Sequence, residues 1–238
     1  MNIIAGSVAL VTGANRGLGA RFASDLLARG ASKVYAAARR PASVTVPGVE
    51  VLALDLLDQA SIDAAADVAR DVTLLVNNAG VSVRQDLVRG DLAEIRREMD
   101  TNFYGTLAVT RAFADVLAGN GGGGIVNVLS ALSFYSFPGA TSYSATKAAE
   151  WSLTAGTRVE LAQQGTQVLG LHLGGADTDM MAGYDGPLLD PADVVRAALD
   201  GLEAGQVEVL VDDWSRTAKA GVAEEPAAFY AKAAALFA

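Results

Sequence analysis

The 238-residue chain contains no cysteine and a single histidine, His172. That inventory excludes disulfides, thiolate catalysis and a Cys/His zinc site, and no metal is expected. Positive charge is also scarce: 18 Lys and Arg stand against 27 Asp and Glu, a formal charge of -9. With no local cluster of basic residues to reverse that sign, binding to nucleic acid or to an anionic membrane surface is disfavoured, and a small molecule is the expected partner. No apolar run reaches the roughly 18 residues needed to span a bilayer. Met1 to Ser7 has no basic n-region, and its apolar stretch is broken by Gly6 and Ser7, so no export signal is expected and a soluble, cytoplasmic chain is.

What the chain has is hydrophobic content, 51%, enough to bury a sizeable core as one domain over residues 1–238. Strand-like runs at Val8 to Val11, Val34 to Ala38, Val49 to Leu54 and Leu74 to Val76 alternate with helical periodicity. Later strands are expected at Ile125 to Leu129, Val168 to Leu173 and Val207 to Val211. Apolar strands without polar alternation, separated by helices, predict an α/β fold: a doubly wound parallel sheet of about seven strands, helices on both faces, and a ligand crevice beyond the strand C-termini. Gly119 to Gly124 reads as a flexible turn between a helix and the Ile125 strand, and Asp58 as the N-cap of a helix starting near Gln59.

Within this pattern, Tyr143 and Lys147 stand four residues apart and so share a helix face. Free tyrosine titrates near 10, and a neighbouring ammonium is a local source of the roughly 4 kcal/mol needed to bring a phenol to about 7. Ser130, thirteen residues upstream of Tyr143, closes the apolar run Gly124 to Leu129 with a small hydroxyl donor. Near the N-terminus, Thr12-Gly13-Ala14-Asn15-Arg16-Gly17-Leu18-Gly19 joins the first strand to a helical pattern through Phe22, Leu26 and Leu27. Glycines there let the backbone approach a phosphate, which the N–H groups opening the helix then meet at the positive end of its dipole.

Together with Asn77-Asn78-Ala79-Gly80 after the fourth strand run, and with Asn102, these segments closely resemble the short-chain dehydrogenase/reductase family over about residues 7 to 215. The TGxxxGxG spacing is that of its roughly 250-residue oxidoreductase branch. The resemblance implies a single-domain Rossmann fold with Asn102, Ser130, Tyr143 and Lys147 as the catalytic set. In it, Tyr143 protonates the carbonyl oxygen as hydride leaves the nicotinamide, Ser130 donates a hydrogen bond to the same oxygen, and Lys147 lowers the tyrosine pKa and holds the nicotinamide ribose. Asn102 positions Lys147 through a water. The cofactor contacts implied are Gly13, Asn15, Arg16, Gly17, Leu18 and Gly19, then Asp55 and Leu56 at the adenine, then Asn78, Ala79 and Gly80, then Tyr143, Lys147, Gly174 and Thr178.

Charge decides the cofactor. An NAD site places an acid after the second strand for the ribose 2′-hydroxyl, whereas NADP carries a phosphate there. No acid lies between Val34 and Thr45, while Arg39 follows the strand and Arg16 sits in the glycine loop, so NADP(H) is favoured over NAD(H).

One departure stands out. Where the family reads Pro-Gly after the sixth strand, this chain has Leu173-Gly174, and loss of a fixed φ beside two glycines predicts a looser substrate lid over about 176–190. His172 is expected as a packed core imidazole. Residues expected at the substrate pocket, Leu132, Phe134, Phe137, Val81, Met180, Met181 and Tyr184, are mostly apolar, and Arg84 is expected to face solvent. A neutral ketone or secondary alcohol is the favoured substrate. Imine or activated-alkene reduction is the rival, with a non-catalytic dinucleotide sensor behind it. Residues 214–238 read as an alanine-rich amphipathic helix carrying Phe229, Tyr230, Leu236 and Phe237. Helices around Phe103 to Leu117 and Ser144 to Leu161 form the usual family dimer seam, so a homodimer or homotetramer is expected.

Overall fold

The computed structural model describes residues 3–236, with side chains through 233. Strands β1 (Val8–Thr12), β2 (Lys33–Ala38), β3 (Glu50–Ala53), β4 (Leu74–Asn77), β5 (Gly123–Val128), β6 (Thr166–His172) and β7 (Glu208–Leu210) form one sheet. Their order is β3-β2-β1-β4-β5-β6-β7 and every pairing is parallel. The expected doubly wound α/β sheet is therefore present, with small shifts at the strand ends.

Helices α1 (Gly17–Ala28) and α6 (Pro191–Glu203) cover one face, and α2 (Gln59–Val68) and α4 (Thr106–Gly119) the other. The pleat sorts strand residues between them: Val11 and Val76 pack with Phe22, Leu26 and Leu199, whereas Leu10 and Leu75 pack with Ile62, Val109 and Phe113. Burying each such side chain contributes about 1.5–3 kcal/mol, which is why a strand buried on both sides reads as an unbroken apolar run. The edge strand β3 departs from this. Glu50, Val51 and Ala53 are exposed, because only β2 covers that edge.

Asp58 caps α2 as expected, accepting from the Ala60 N–H at 3.0 Å. The glycine turn before β5 is more constrained than the expected flexible link. Gly121, Gly122 and Gly123 all have positive φ, and a Cβ at Gly123 would lie 2.0 Å from the Thr73 carbonyl oxygen. Between α3 (Leu92–Met99) and α4 the chain makes a π-helical turn, Asp100–Gly105, which carries Asn102.

The C-terminal segment is not one amphipathic helix. It divides into α7 (Asp213–Gly221) and α8 (Pro226–Leu236), because Pro226 suits a helix start and not a helix interior. Phe237 and the Leu236 side chain lie outside the described residues. Phe229 and Ala233 pack on Ala131 and Tyr135 of their own chain, so these helices roof the loop after β5. No helix among the described residues is long and apolar enough to cross a membrane.

Candidate active site

The strand order reverses between β1 and β4, and the loops leaving the C-terminal ends there splay apart to open a crevice. A cleft of about 630 Å³ fills it, within the range of small-molecule sites. Thr12 stitches its floor: the hydroxyl accepts from the Asn78 and Ala79 N–H groups, each at 3.0 Å, and the Asn78 side-chain amide donates back to the Thr12 carbonyl at 2.9 Å.

At one end, Gly13, Asn15, Arg16, Gly17 and Leu18 line the cleft, as do Arg39, Asp55 and Leu56. Asn78, Ala79, Gly80, Gly174 and Thr178 line it too. Gly19 does not; it is buried, and a Cβ there would stand 2.2 Å from the Gly13 carbonyl oxygen, so its task is to let α1 press against the loop. Arg16 and Arg39 differ in one respect. Arg16 is held at 2.5 Å by Asp179, which lies in the short 3₁₀ turn Asp179–Met181, whereas no carboxylate pairs with Arg39 among the described residues. Asp55 accepts from the Leu57 N–H at 3.1 Å, which fixes the turn after β3.

At the other end, Ser130, Tyr143 and Lys147 line the same cleft. Helix α5 (Thr141–Glu160) carries the last two, and the Lys147 ammonium lies 5.6 Å from the Tyr143 ring centroid. Ser130 follows β5, its Oγ accepting from the Leu132 N–H at 3.1 Å. Ser133, Ser142 and Ser144 are buried and bonded elsewhere, Ser142 to the buried Glu98 carboxylate at 2.5 Å.

Asn102 does not line the cleft. It is fully buried and clamps the loop after β4: its Oδ1 accepts from the Val81 N–H and its Nδ2 donates to the Val81 carbonyl, both at 2.9 Å, with Thr146 Oγ1 a third partner at 3.0 Å. A Cβ at Gly80 would reach Asn102 Oδ1 at 3.2 Å and the Lys147 ammonium at 3.9 Å, so the clamp sets the wall beside Lys147.

Sequence reasoning missed the partner of Lys147. The ammonium donates to the Val128 carbonyl and to Glu150 Oε2, each at 3.0 Å, and both side chains of the ion pair are buried. Burial pushes the Tyr143 phenol up from its ordinary value, Lys147 pulls it down, and the carboxylates of Glu150 and Glu98 push it up again, for a net rise. Burial alone would lower Lys147, but Glu150 and Tyr143 beside it hold it above the usual ammonium range. The signal was readable, since positions 143, 147 and 150 share a helix face.

Val81, Leu132, Phe137, Met180, Met181 and Tyr184 line the cleft as expected, whereas Phe134 stacks on His172 at 4.5 Å and packs on Trp151 instead. His172 is the expected core imidazole, fully buried. Arg84 is exposed, but it also lines the cleft, where it was expected only to face solvent, and it donates to the Met180 and Ala182 carbonyls at 3.2 and 3.0 Å. Asp212 is a second missed anchor, accepting from the Gly174 N–H at 3.0 Å while capping α7. Leu189 exchanges backbone hydrogen bonds with Gly175 and Asp177. These ties act on the segment that follows Leu173, where the expected proline is missing.

A doubly wound parallel sheet with this glycine turn, and with Ser130, Tyr143 and Lys147 on the cleft beyond its strand C-termini, is the architecture of dinucleotide-binding α/β oxidoreductases. Residues 7–186 match the family model described as short chain dehydrogenase, and the chain belongs to that family. It is 39% identical, with a TM-score of 0.91 over 96% of this chain and 98% of the other, to a short chain dehydrogenase from Burkholderia cenocepacia in complex with NADP. A 3-ketoacyl-(acyl-carrier-protein) reductase from Brucella melitensis complexed with NADH is 28% identical, with a TM-score of 0.81 over 88% and 98% of the two chains. An uncharacterized oxidoreductase of Staphylococcus aureus is 29% identical over 215 residues, 85% of this chain and 93% of that one.

Proposed function

We propose that this oxidoreductase is NADP(H)-dependent and interconverts a neutral, apolar ketone and its secondary alcohol. The single observation that carries the reading is the shared cleft, which holds Ser130, Tyr143 and Lys147 at one end and Arg39 at the other, with no acid after β2. The crowded backbone at Gly13 and Gly19 fits a pyrophosphate over the opening of α1. Arg39, joined by Arg16 once Asp179 releases it, would hold the 2′-phosphate. Asp55 and Leu56 would border the adenine, Asn78, Ala79 and Gly80 the nicotinamide ribose, and Gly174 and Thr178 the carboxamide. The likeness to a structure solved with NADP supports this preference.

Bound nicotinamide supplies or accepts the hydride. The Tyr143 hydroxyl gives its proton to the substrate oxygen in reduction and takes it back in oxidation. Ser130 Oγ donates to that oxygen as its charge grows. Asn102 keeps the Val81 loop in place as the wall of the site. Leu132, Phe137, Met180 and Met181 exclude water and favour an apolar substrate. The groove between α4 and α5, lined by Phe103, Leu107, Leu153 and Leu161, supports assembly as a homodimer or homotetramer.

The test is fluorescence titration with NADPH and NADH, followed by a panel of neutral ketones added to the tighter complex. NADPH binding more tightly, with oxidation by a ketone, is the expected result. Equal affinity for the two nucleotides would remove the cofactor preference, and no binding of either would remove the reading.

A further inference from the structure

Trp214 lies beyond residues 7–186, the span that matches the family model, yet it lines the same cleft as Ser130, Tyr143 and Lys147. It is the second residue of α7, and the cap of that helix sets its place. Asp212 accepts from the Ser215 N–H through one carboxylate oxygen, at 2.9 Å, and from the Gly174 N–H through the other, at 3.0 Å, so the first turn of α7 is tied to the segment after β6. A Cβ at Gly174 would stand 3.5 Å from Trp214 Cδ1, which puts the indole against the residue proposed to meet the carboxamide.

A chain of rings braces that indole. Tyr135 meets it edge-on at 5.3 Å, Phe229 meets Tyr135 edge-on at 5.6 Å, and Tyr230 lies tilted against Tyr135 at 4.8 Å. The Tyr230 hydroxyl accepts from the Ser136 N–H at 3.1 Å, which fixes α8 to the loop that carries Phe137. Phe137 lines the cleft together with Trp214, and so do Leu132, Met180 and Met181.

We propose, on the reading of this protein as a ketone reductase, that Trp214 is a substrate-specificity residue: with Phe137 it forms a wall, set in place by the C-terminal helices, that takes the ring of an aryl ketone. Rings and thioethers hold an arene better than a saturated ring of the same carbon number, because a ring edge meets a ring face favourably and sulfur meets a ring edge favourably. A wall fixed by its own packing loses little freedom when the substrate arrives. Lys147 donates to the Val128 carbonyl and to Glu150, Arg84 to the Met180 and Ala182 carbonyls, and Arg16 to Asp179. With these cations of the cleft engaged inside the protein, a neutral ring and not a carboxylate suits the wall.

The experiment compares two ketones of equal carbon number, acetophenone and cyclohexyl methyl ketone, in wild type, Trp214→Ala and Trp214→Phe. The readout is the ratio of their kcat/KM values with NADPH, since a general loss of structure lowers both and leaves the ratio alone. Trp214→Ala should lower the ratio, acetophenone over cyclohexyl methyl ketone, by about threefold to tenfold, and Trp214→Phe should keep most of it. A ratio that Trp214→Ala leaves unchanged would overturn the proposal. Binding is read separately with NADP⁺ present, where a ketone binds without turning over, by NMR saturation transfer from the protein to each ketone. Transfer to the acetophenone ring that falls at least about threefold in Trp214→Ala is expected, and transfer undiminished in that variant would overturn the proposal. Failure of the ketone-reduction reading looks different: neither ketone is reduced, while the transfer to acetophenone and its dependence on Trp214 persist.

Discussion

The Nδ1 of His172 lies 3.1 Å from the backbone carbonyl oxygen of Ser130. Since a carbonyl only accepts, Nδ1 must carry the proton, and the imidazole is neutral with an unprotonated Nε2. That Nε2 stands 3.5 Å from Glu208 Oε1, a separation that would suit an ion pair if the ring were charged. Burial keeps it uncharged, with a pKa lowered to about 4, and Glu208 is already engaged by Lys219. The ring thus pins the strand end that presents the Ser130 hydroxyl.

A stability profile follows from that neutral ring. Its folded pKa, about 4, lies below the ordinary 6.5, so the folded state binds the proton less readily than the unfolded chain. The contribution is fully present above 6.5 and is lost as pH falls toward 4; at the linkage scale it amounts to about 3 kcal/mol. Urea midpoints of wild type and of His172→Phe, taken at about pH 7 and about pH 4.5, should differ in slope, with the variant losing less on acidification. Parallel losses would mean that His172 is not the titrating group.

Tyr143→Phe retains the ring but removes the donor hydroxyl. Turnover of a ketone accepted by wild type should fall by at least about a hundredfold, while nicotinamide fluorescence reports nearly unchanged NADPH binding. Undiminished turnover would sink the assignment of Tyr143 as the proton carrier.

Arg16 and Arg39 make separable predictions about the cofactor. Arg39→Asp should reduce the ratio of NADPH to NADH affinity by about tenfold or more, since a phosphate would then face a carboxylate. Asp179→Asn should shift the ratio the other way by about twofold to fivefold, because it frees Arg16 from an exposed pair that is weak in itself. A ratio that ignores Asp179→Asn would show that Arg16 does not reach the 2′-phosphate.

Most of the fold was legible because parallel strands buried on both faces read as apolar runs, and because Tyr143, Lys147, Ser130 and the glycine loop are short-range patterns. What was not legible depends on partners far apart in the chain. Arg84 meets Met180 and Ala182 across 96 and 98 positions, and Asp212 meets Gly174 across 38. Such contacts carry no periodicity, so the ties on the segment lacking its proline could not be read from the sequence. Phe134 was misplaced for a related reason: which wall an aromatic joins depends on the ring it stacks against, here His172. The bonds of the Asn102 amide to Val81, 21 positions away, form a register visible only once the π-turn is formed.

The glycine loop gives the sharpest structural prediction. Gly19 is buried in the first turn of α1, and a Cβ there would stand 2.2 Å from the Gly13 carbonyl oxygen and 2.6 Å from Asn78 Nδ2. Neither neighbour can yield cheaply: one is backbone, and the other is the amide that bonds the Thr12 carbonyl at 2.9 Å. Gly19→Ala should therefore push α1 off the loop, destabilise the fold by about 1–3 kcal/mol, and, on the proposed placement of the pyrophosphate over the opening of α1, weaken both nucleotides together. Gly119→Ala is the control. It sits at the end of α4 with nothing within 4 Å of its Cβ position and no positive φ, so alanine there should be neutral or stabilising by up to about 1 kcal/mol. Thermal midpoints and NADPH titrations of the two variants decide the matter: a Gly19→Ala protein as stable and as tightly binding as Gly119→Ala would mean that the close approach of α1 to the loop is not what the nucleotide end requires.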